Sequence, residues 1–276
     1  MSCVIEQAGK VLRCSDPLEK AQLALLMREN WQKSGKPTVL APLQLPPHKP
    51  GRPHKPDLVS PSELPRRRLG STEGRGALLH AIAHIELNAI DLAADMIARF
   101  SNHDLIVKTQ SKEHTQVSFI TDWTQVCAEE AKHFKLLSDR LKSMGFSYGD
   151  FPAHNGLWDA ADSTKNDIAA RLAIAPMVLE ARGLDVTPGM IDKLGRVGDK
   201  ESVSILEIIY QEEVHHVRIG AQWFQRIAKS LSKEPVRFFH DLVDAHFKGR
   251  LKPPFNVQAR TLAGLTEDYY LPLSNC

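Results

Sequence analysis

Four long stretches of this chain carry apolar residues at helical period, and each sets a glutamate in the middle of its apolar stripe. The first runs from about Thr72 to Phe100, with Ser71 as a candidate N-cap and Glu86 placed among Ile82, Ala83, Ala89 and Ile90. The second, about Lys112 to Met144, is stopped by Gly145 and sets Glu130 among Val126, Cys127, Phe134 and Leu137. The third, about Asn166 to Leu184, has Pro176 as a kink and Glu180 beside Met177 and Leu184. The fourth, about Lys200 to Leu231, holds Glu213 between Ile209 and Val217. Helices of this length span on the order of 30 to 45 Å, the scale of a four-helix bundle, and strand signals are nearly absent. The pattern predicts an all-α fold.

A glutamate where leucine belongs demands an explanation. An ionised carboxylate in a dry core costs several kcal/mol unless a countercharge accompanies it, and no Lys or Arg occupies these stripes. Two of the glutamates have a histidine three residues on, in EEAKHF (Glu130, His133) and EEVHHV (Glu213, His216), and this spacing puts both side chains on one helix face. Chance supplies roughly 0.7 Glu-x-x-His matches in such a composition, so one match is background; Glu212 and His215 form such a match. The combination carries more, because each of the two stripe-centred matches follows a helix with a lone glutamate, giving a repeat of Glu helix then Glu-x-x-His helix. Four carboxylates are neutralised by two divalent cations, with neutral histidines completing the shells. Oxygen and imidazole donors without thiolate favour iron or manganese, with zinc as an adventitious occupant.

With these residues in view, the chain resembles the ferritin-like superfamily and, more narrowly, a bacterial ferritin-like family of unknown function. The phrases HIELNAIDLA from His84, EEAKHF from Glu129, LEARGLDVTPGMI from Leu179 and EEVHHVRIGAQWF from Glu212 carry the resemblance, which covers roughly Ser71 to Leu231. It implies a ferritin-like four-helix bundle in which Glu130 and Glu213 bridge two metals, Glu86 and His133 complete one ion, and Glu180 and His216 complete the other. Relatives in the superfamily include ferroxidases, rubrerythrin-like peroxidases, monooxygenases and a tRNA-modifying hydroxylase, so the fold alone does not select a reaction. The expected function is a di-iron or manganese–iron carboxylate oxidoreductase that activates dioxygen or peroxide to oxidise a small molecule, its electrons coming from a separate donor because the chain holds no flavin or reductase motif. A ferroxidase without organic substrate, a tRNA-hydroxylase-like enzyme and a scaffold with purely structural metals are the alternatives. Tyr210, one turn before Glu213, is a further catalytic candidate beside Glu130 and Glu213, or else a core tyrosine with a satisfied hydroxyl.

The repeat predicts a division into an N-terminal helix and Pro-rich arm (1–70), the bundle (71–232), and a C-terminal helix and tail (233–276). Asp16 and Pro17 are a cap and first residue for the helix that leads the arm, and the prolines from Pro37 to Pro65 forbid a continuous helix after it. Lys49, Arg52, Lys55 and Arg66 to Arg68 make the arm basic, which admits RNA contact, although it lacks aromatic residues for base stacking; wrapping of a second subunit in a homodimer is the other use of such an arm. Links are expected near Ser101 to Gln110, from Phe146 to Lys165, and from Asp185 to Asp199 with a short helix after Pro188. His80, His84, Asn88, Asp91 and Asp95 form a polar stripe expected to pack under the arm or tail. Trp123, Trp223 and Cys127 read as core. The net charge of +2 gives no global pull toward nucleic acid or anionic membrane, and the four cysteines lack any CxxC pairing. Apolar runs fall short of a membrane span, and the N-terminus lacks a signal-peptide core, so a cytoplasmic protein is expected.

Overall fold

The computed structural model describes residues 3–34, 45–63, 68–107 and 116–274, and among these it is helical, with two isolated β-bridges in place of any sheet. The expected start of the second long helix at Lys112, part of the proline arm with Arg66 and Arg67, and Cys276 lie outside the described residues. The chain forms two compact units, Met1–Trp158 and Asp159–Cys276.

The first unit opens with α1 (Val4–Arg13), which buries Val4, Ile5, Ala8, Val11 and Leu12. Helix α2 (Pro17–Lys33) begins as its sequence predicts: the Asp16 carboxylate accepts from the Glu19 N–H at 2.8 Å and Pro17 occupies the first helical position. A short 3₁₀ turn (Pro61–Glu63) precedes α3 (Thr72–Asp95), where the Ser71 hydroxyl accepts from the Gly74 N–H at 3.0 Å. The last turn of this helix widens into a π-helical stretch (Met96–Phe100). After α4 (Asp104–Val107) comes α5 (Gln116–Ser143), and the division between units falls inside α6 (Gly156–Ser163).

Helix α3 is the centre of this unit, packed by α1, α2 and α5. Thr72–Phe100 is long enough to cross a membrane and contains an 18-residue window with a mean hydropathy of 1.3, yet 83% of that window is buried inside the protein. Its apolarity is that of a core helix. On α5, Phe119, Trp123, Val126, Cys127, Phe134, Leu137 and Leu141 are all buried, as the stripe predicts. Trp31 of α2 joins them and donates its indole N–H to Thr121 Oγ1 at 2.9 Å.

In the second unit, α7 (Ile168–Ile174) is capped by Asp167, whose carboxylate accepts from the N–H groups of Ala169 and Ala170. It continues through a π-helical stretch (Ala175–Glu180) into α8 (Ala181–Arg196). Periodicity predicted an end at Leu184 and a link from Asp185, but the helix runs on past Pro188. Burial of Leu184, Thr187 and Leu194 outweighs the roughly 3 kcal/mol cost of an interior proline. Helix α9 (Lys200–Ser230), capped by Asp199, packs along α8. The tail holds α10 (Pro235–His246), α11 (Val257–Leu262) and α12 (Glu267–Tyr270).

Pro176 marks the π-helical stretch, where its missing N–H breaks the regular ladder. The facing residue on α9 is Gly220, and a Cβ there would lie 2.4 Å from both Cβ and Cγ of Pro176. Gly220→Ala is therefore expected to destabilise the protein by about 1–3 kcal/mol through overpacking, against a helix-propensity gain of about 1 kcal/mol. Denaturant unfolding of the variant measures the net effect, a loss of up to about 2 kcal/mol, and a raised midpoint would contradict the close approach.

Candidate metal centre

Glu86 stands on α3, and Glu130 and His133 stand one turn apart on the facing α5. The i, i+3 spacing turns both α5 side chains toward α3. His133 Nδ1 lies 3.0 Å from Glu86 Oε2 and 3.5 Å from Glu130 Oε2. All three residues are buried, and each offers a ligand atom within 4.8 Å of the others. Burial pushes the Glu86 carboxyl well above the usual carboxylate range, the neighbouring Glu130 charge raises it further, and His133 pulls the other way. Two carboxylates and an imidazole, free of thiolate and withdrawn from water, form a donor set that could hold a metal ion.

The second unit repeats the motif in part. On α9, His216 Nδ1 lies 3.6 Å from Glu213 Oε1, with His216 buried and Glu213 nearly so. Glu180 closes the π-helical stretch, half-buried, with its Oε2 withdrawn from solvent. Among the described residues, this unit on its own gathers no third ligand atom within 4.8 Å of Glu213 and His216. The Tyr210 hydroxyl accepts from Asn256 Nδ2 at 2.8 Å, so the tail engages it. Cys127 is buried, with its thiol 3.6 Å from the Ile90 carbonyl oxygen and raised in pKa chiefly by burial, which makes it an inert core group. Trp123 and Trp223 are core, as expected.

Of the polar stripe on α3, Asn88 and Asp91 pack under the arm as expected, while His80 and His84 meet the loop after α5 and Asp95 pairs with Arg99 on the same helical run. Asp91 is fully buried and forms ion pairs of 2.5 Å with both Lys20 of α2 and Arg52 of the arm. Arg52 also donates to Asn88 Oδ1 at 2.6 Å, and Lys20 donates to the Gly51 carbonyl at 3.0 Å. Burial drives Lys20 down and Asp91 up, each restrained by the other's charge, and the Arg52 guanidinium beside Asp91 also pulls that carboxyl down. His84 lies 2.8 Å from the Tyr148 hydroxyl, and burial followed by the Arg52 charge pushes its imidazole down to about 4. His80 accepts from the Gly149 N–H.

Asp185 plays the matching part in the second unit, where only a link was expected. Its buried carboxylate takes two bonds from Arg260, at 2.8 and 2.7 Å, and one from the Asn256 N–H at 2.9 Å. Asp91 follows Glu86 by five residues, in ELNAID, and Asp185 follows Glu180 by five, in EARGLD. The internal repeat thus includes an anchor aspartate in each half, a signal present in the sequence. Asp91→Asn and Asp185→Asn should each lower unfolding free energy by about 3–5 kcal/mol by leaving a buried cation unpaired. Lys20→Met leaves Arg52 on Asp91 and should cost less; chemical denaturation of the three variants tests the order, which equal losses would refute.

The family model described as a protein of unknown function (DUF455) matches residues 13–271. An "uncharacterized protein" of Haemophilus influenzae (strain ATCC 51907 / DSM 11121 / KW20 / Rd) is 41% identical over 215 residues, covering 78% of this chain and 73% of that one. No solved structure matches.

Proposed function

Because the chain belongs to the family described as protein of unknown function (DUF455), whose matched region includes all six candidate ligands, we propose that it is a dinuclear metal-carboxylate oxidoreductase acting on a small organic molecule. The observation that carries this reading is the buried meeting of Glu86, Glu130 and His133, where two carboxylates share one imidazole. Duplication of the Glu and Glu-x-x-His pattern supports a second set in Glu180, Glu213 and His216. In this reading Glu86, Glu130 and His133 would hold one cation, and Glu180, Glu213 and His216 the other. The ferritin-like resemblance of these motifs supports the same assignment. Two irons, or a manganese and an iron, would supply redox reactivity toward dioxygen or peroxide, with zinc an adventitious occupant.

The chain's own contribution is charge, position and dryness. Glu130 and His133 are held one turn apart by a regular helix, so their separation changes little when a cation binds. Ile82, Ile90, Val126 and Phe134 flank the ligands on the same stripes and are buried, which keeps water from competing for the donors. Electrons are expected from a separate donor. A tRNA-modifying role leans on the basic arm, and there Arg52 is bonded to Asp91 and Asn88 while Lys55 pairs with Asp57; this favours a small molecule as substrate.

Anaerobic Fe(II) titration of the metal-free chain should reach about two irons per chain and give a protein that consumes oxygen. Glu130→Gln and Glu213→Gln should each lose the pair of ions. Two oxygen-reactive irons retained in either variant would refute the assignment, and a large multiple of iron per chain with ferric mineral would transfer the reading to a ferroxidase.

A further inference from the structure

A cavity of about 350 Å³ in the second unit lies against Val178 and Leu179, the residues just before Glu180. Five cations line it: Arg182, Lys248, Arg250, Lys252 and Arg260. No acidic residue lines it, although the whole chain carries only +2. The remaining wall is apolar and partly aromatic, formed by Phe247, Leu251 and Phe255.

This is more than a basic surface patch, because one of its cations is built into the core. The Arg260 side chain is 3% exposed. Nε and Nη2 are taken by Asp185 and the Ala181 carbonyl, while its plane lies over the rings of Phe255 and Tyr270 at 5.1 and 4.7 Å. Nη1 donates to no group among the described residues. Arg182 is fixed by the carbonyls of Lys252 and Pro254, at 2.6 and 3.1 Å, and so ties the 247–255 strap over the cavity. Lys248 and Arg250 stand exposed on that strap, without an acidic partner among the described residues.

We propose that this cavity binds a small organic anion, a carboxylate or phosphate ester carrying an apolar body. Guanidinium groups with unused donors suit the planar or tetrahedral oxygens of such a group. The flanking cations give the recess a local positive field that attracts an anion. Phe247, Leu251 and Phe255 offer contact for the apolar body, and the volume falls in the range of small-molecule sites. The proposal deepens the oxidoreductase reading by naming its substrate class, and it rests on that reading only for the use made of the bound molecule.

Calorimetric titration of the full chain with phenyl phosphate and with phenylacetate tests the idea. Inorganic phosphate, acetate, benzyl alcohol and a single-stranded oligouridine serve as comparisons. At least one aromatic anion should bind about tenfold more tightly than its inorganic, short-chain or uncharged counterpart, and the exposed double variant Lys248→Ala/Arg250→Ala should weaken it by about tenfold. Which aromatic anion binds tells phosphate from carboxylate. Equal affinity in the parent and the folded double variant, no advantage over the simple ions, or binding of the oligouridine alone would each overturn the proposal. Repeating the titration in Glu130→Gln separates the two readings: anion binding that persists there upholds the cavity whatever the iron titration gives, and absent binding in a parent that takes up two irons refutes the cavity alone.

Discussion

A carboxylate buried in a helical core must be given a positive partner, and much of this chain is arranged to provide one. Asp91 is met by Lys20 and Arg52, Asp185 by Arg260, and Asp95 by a bidentate contact from Arg99 one turn away. Each of these acids is an interior group with a dedicated ammonium or guanidinium. Glu86 and Glu130 are different in kind. They are as deeply buried, lie beside one another, and meet a single imidazole between them. Two adjacent carboxylates facing one imidazole form a metal-type donor set, whereas Asp91, Asp95 and Asp185 each meet an ammonium or guanidinium.

The anchors also explain how the Pro-rich arm and the C-terminal tail relate to the helices that carry Glu86 and Glu180. Five residues along an α-helix is a rotation of about 140° beyond a full turn, so Asp91 faces well away from Glu86. The arm grips α3 from behind through Arg52, while the ligand side of that helix stays turned to α5. In the second unit Arg260 and Asn256 hold Asp185 and bring Tyr210 into the same network. The extensions thus act as clamps on the helices that carry the lone glutamates. The tail clamp also forms the floor of a cationic cavity, because Arg260 serves both Asp185 and the recess.

Features that depend on neighbours in sequence were legible. The caps at Asp16 and Ser71, the apolar stripes of the long helices and the i, i+3 pairs on α5 and α9 all follow from local hydrogen bonding and helical period. Pro176 was legible as an irregularity, though its accommodation against Gly220 was not, since that contact joins residues far apart in the chain. Pro188 misled for a related reason: a local rule against helix continuation lost to the burial of Leu184 and Leu194. Helix α1 carries a helical stripe in Val4, Ile5, Ala8, Val11 and Leu12, a local signal that the expected helices omit, whereas the four-residue α12 is too short to show a period.

By itself, the sequence determined that the chain is helical, that glutamates sit where apolar side chains belong, and that the pattern occurs twice, because helical period and charge are properties of neighbouring residues. Tertiary structure alone decided which basic residues reach Asp91 and Asp185. It sent Lys20 and Arg52 to Asp91, brought Arg260 to Asp185, and set His133 between Glu86 and Glu130. Ion pairing in a core depends on distances of a few ångströms between residues tens of positions apart, and only the folded chain sets those distances.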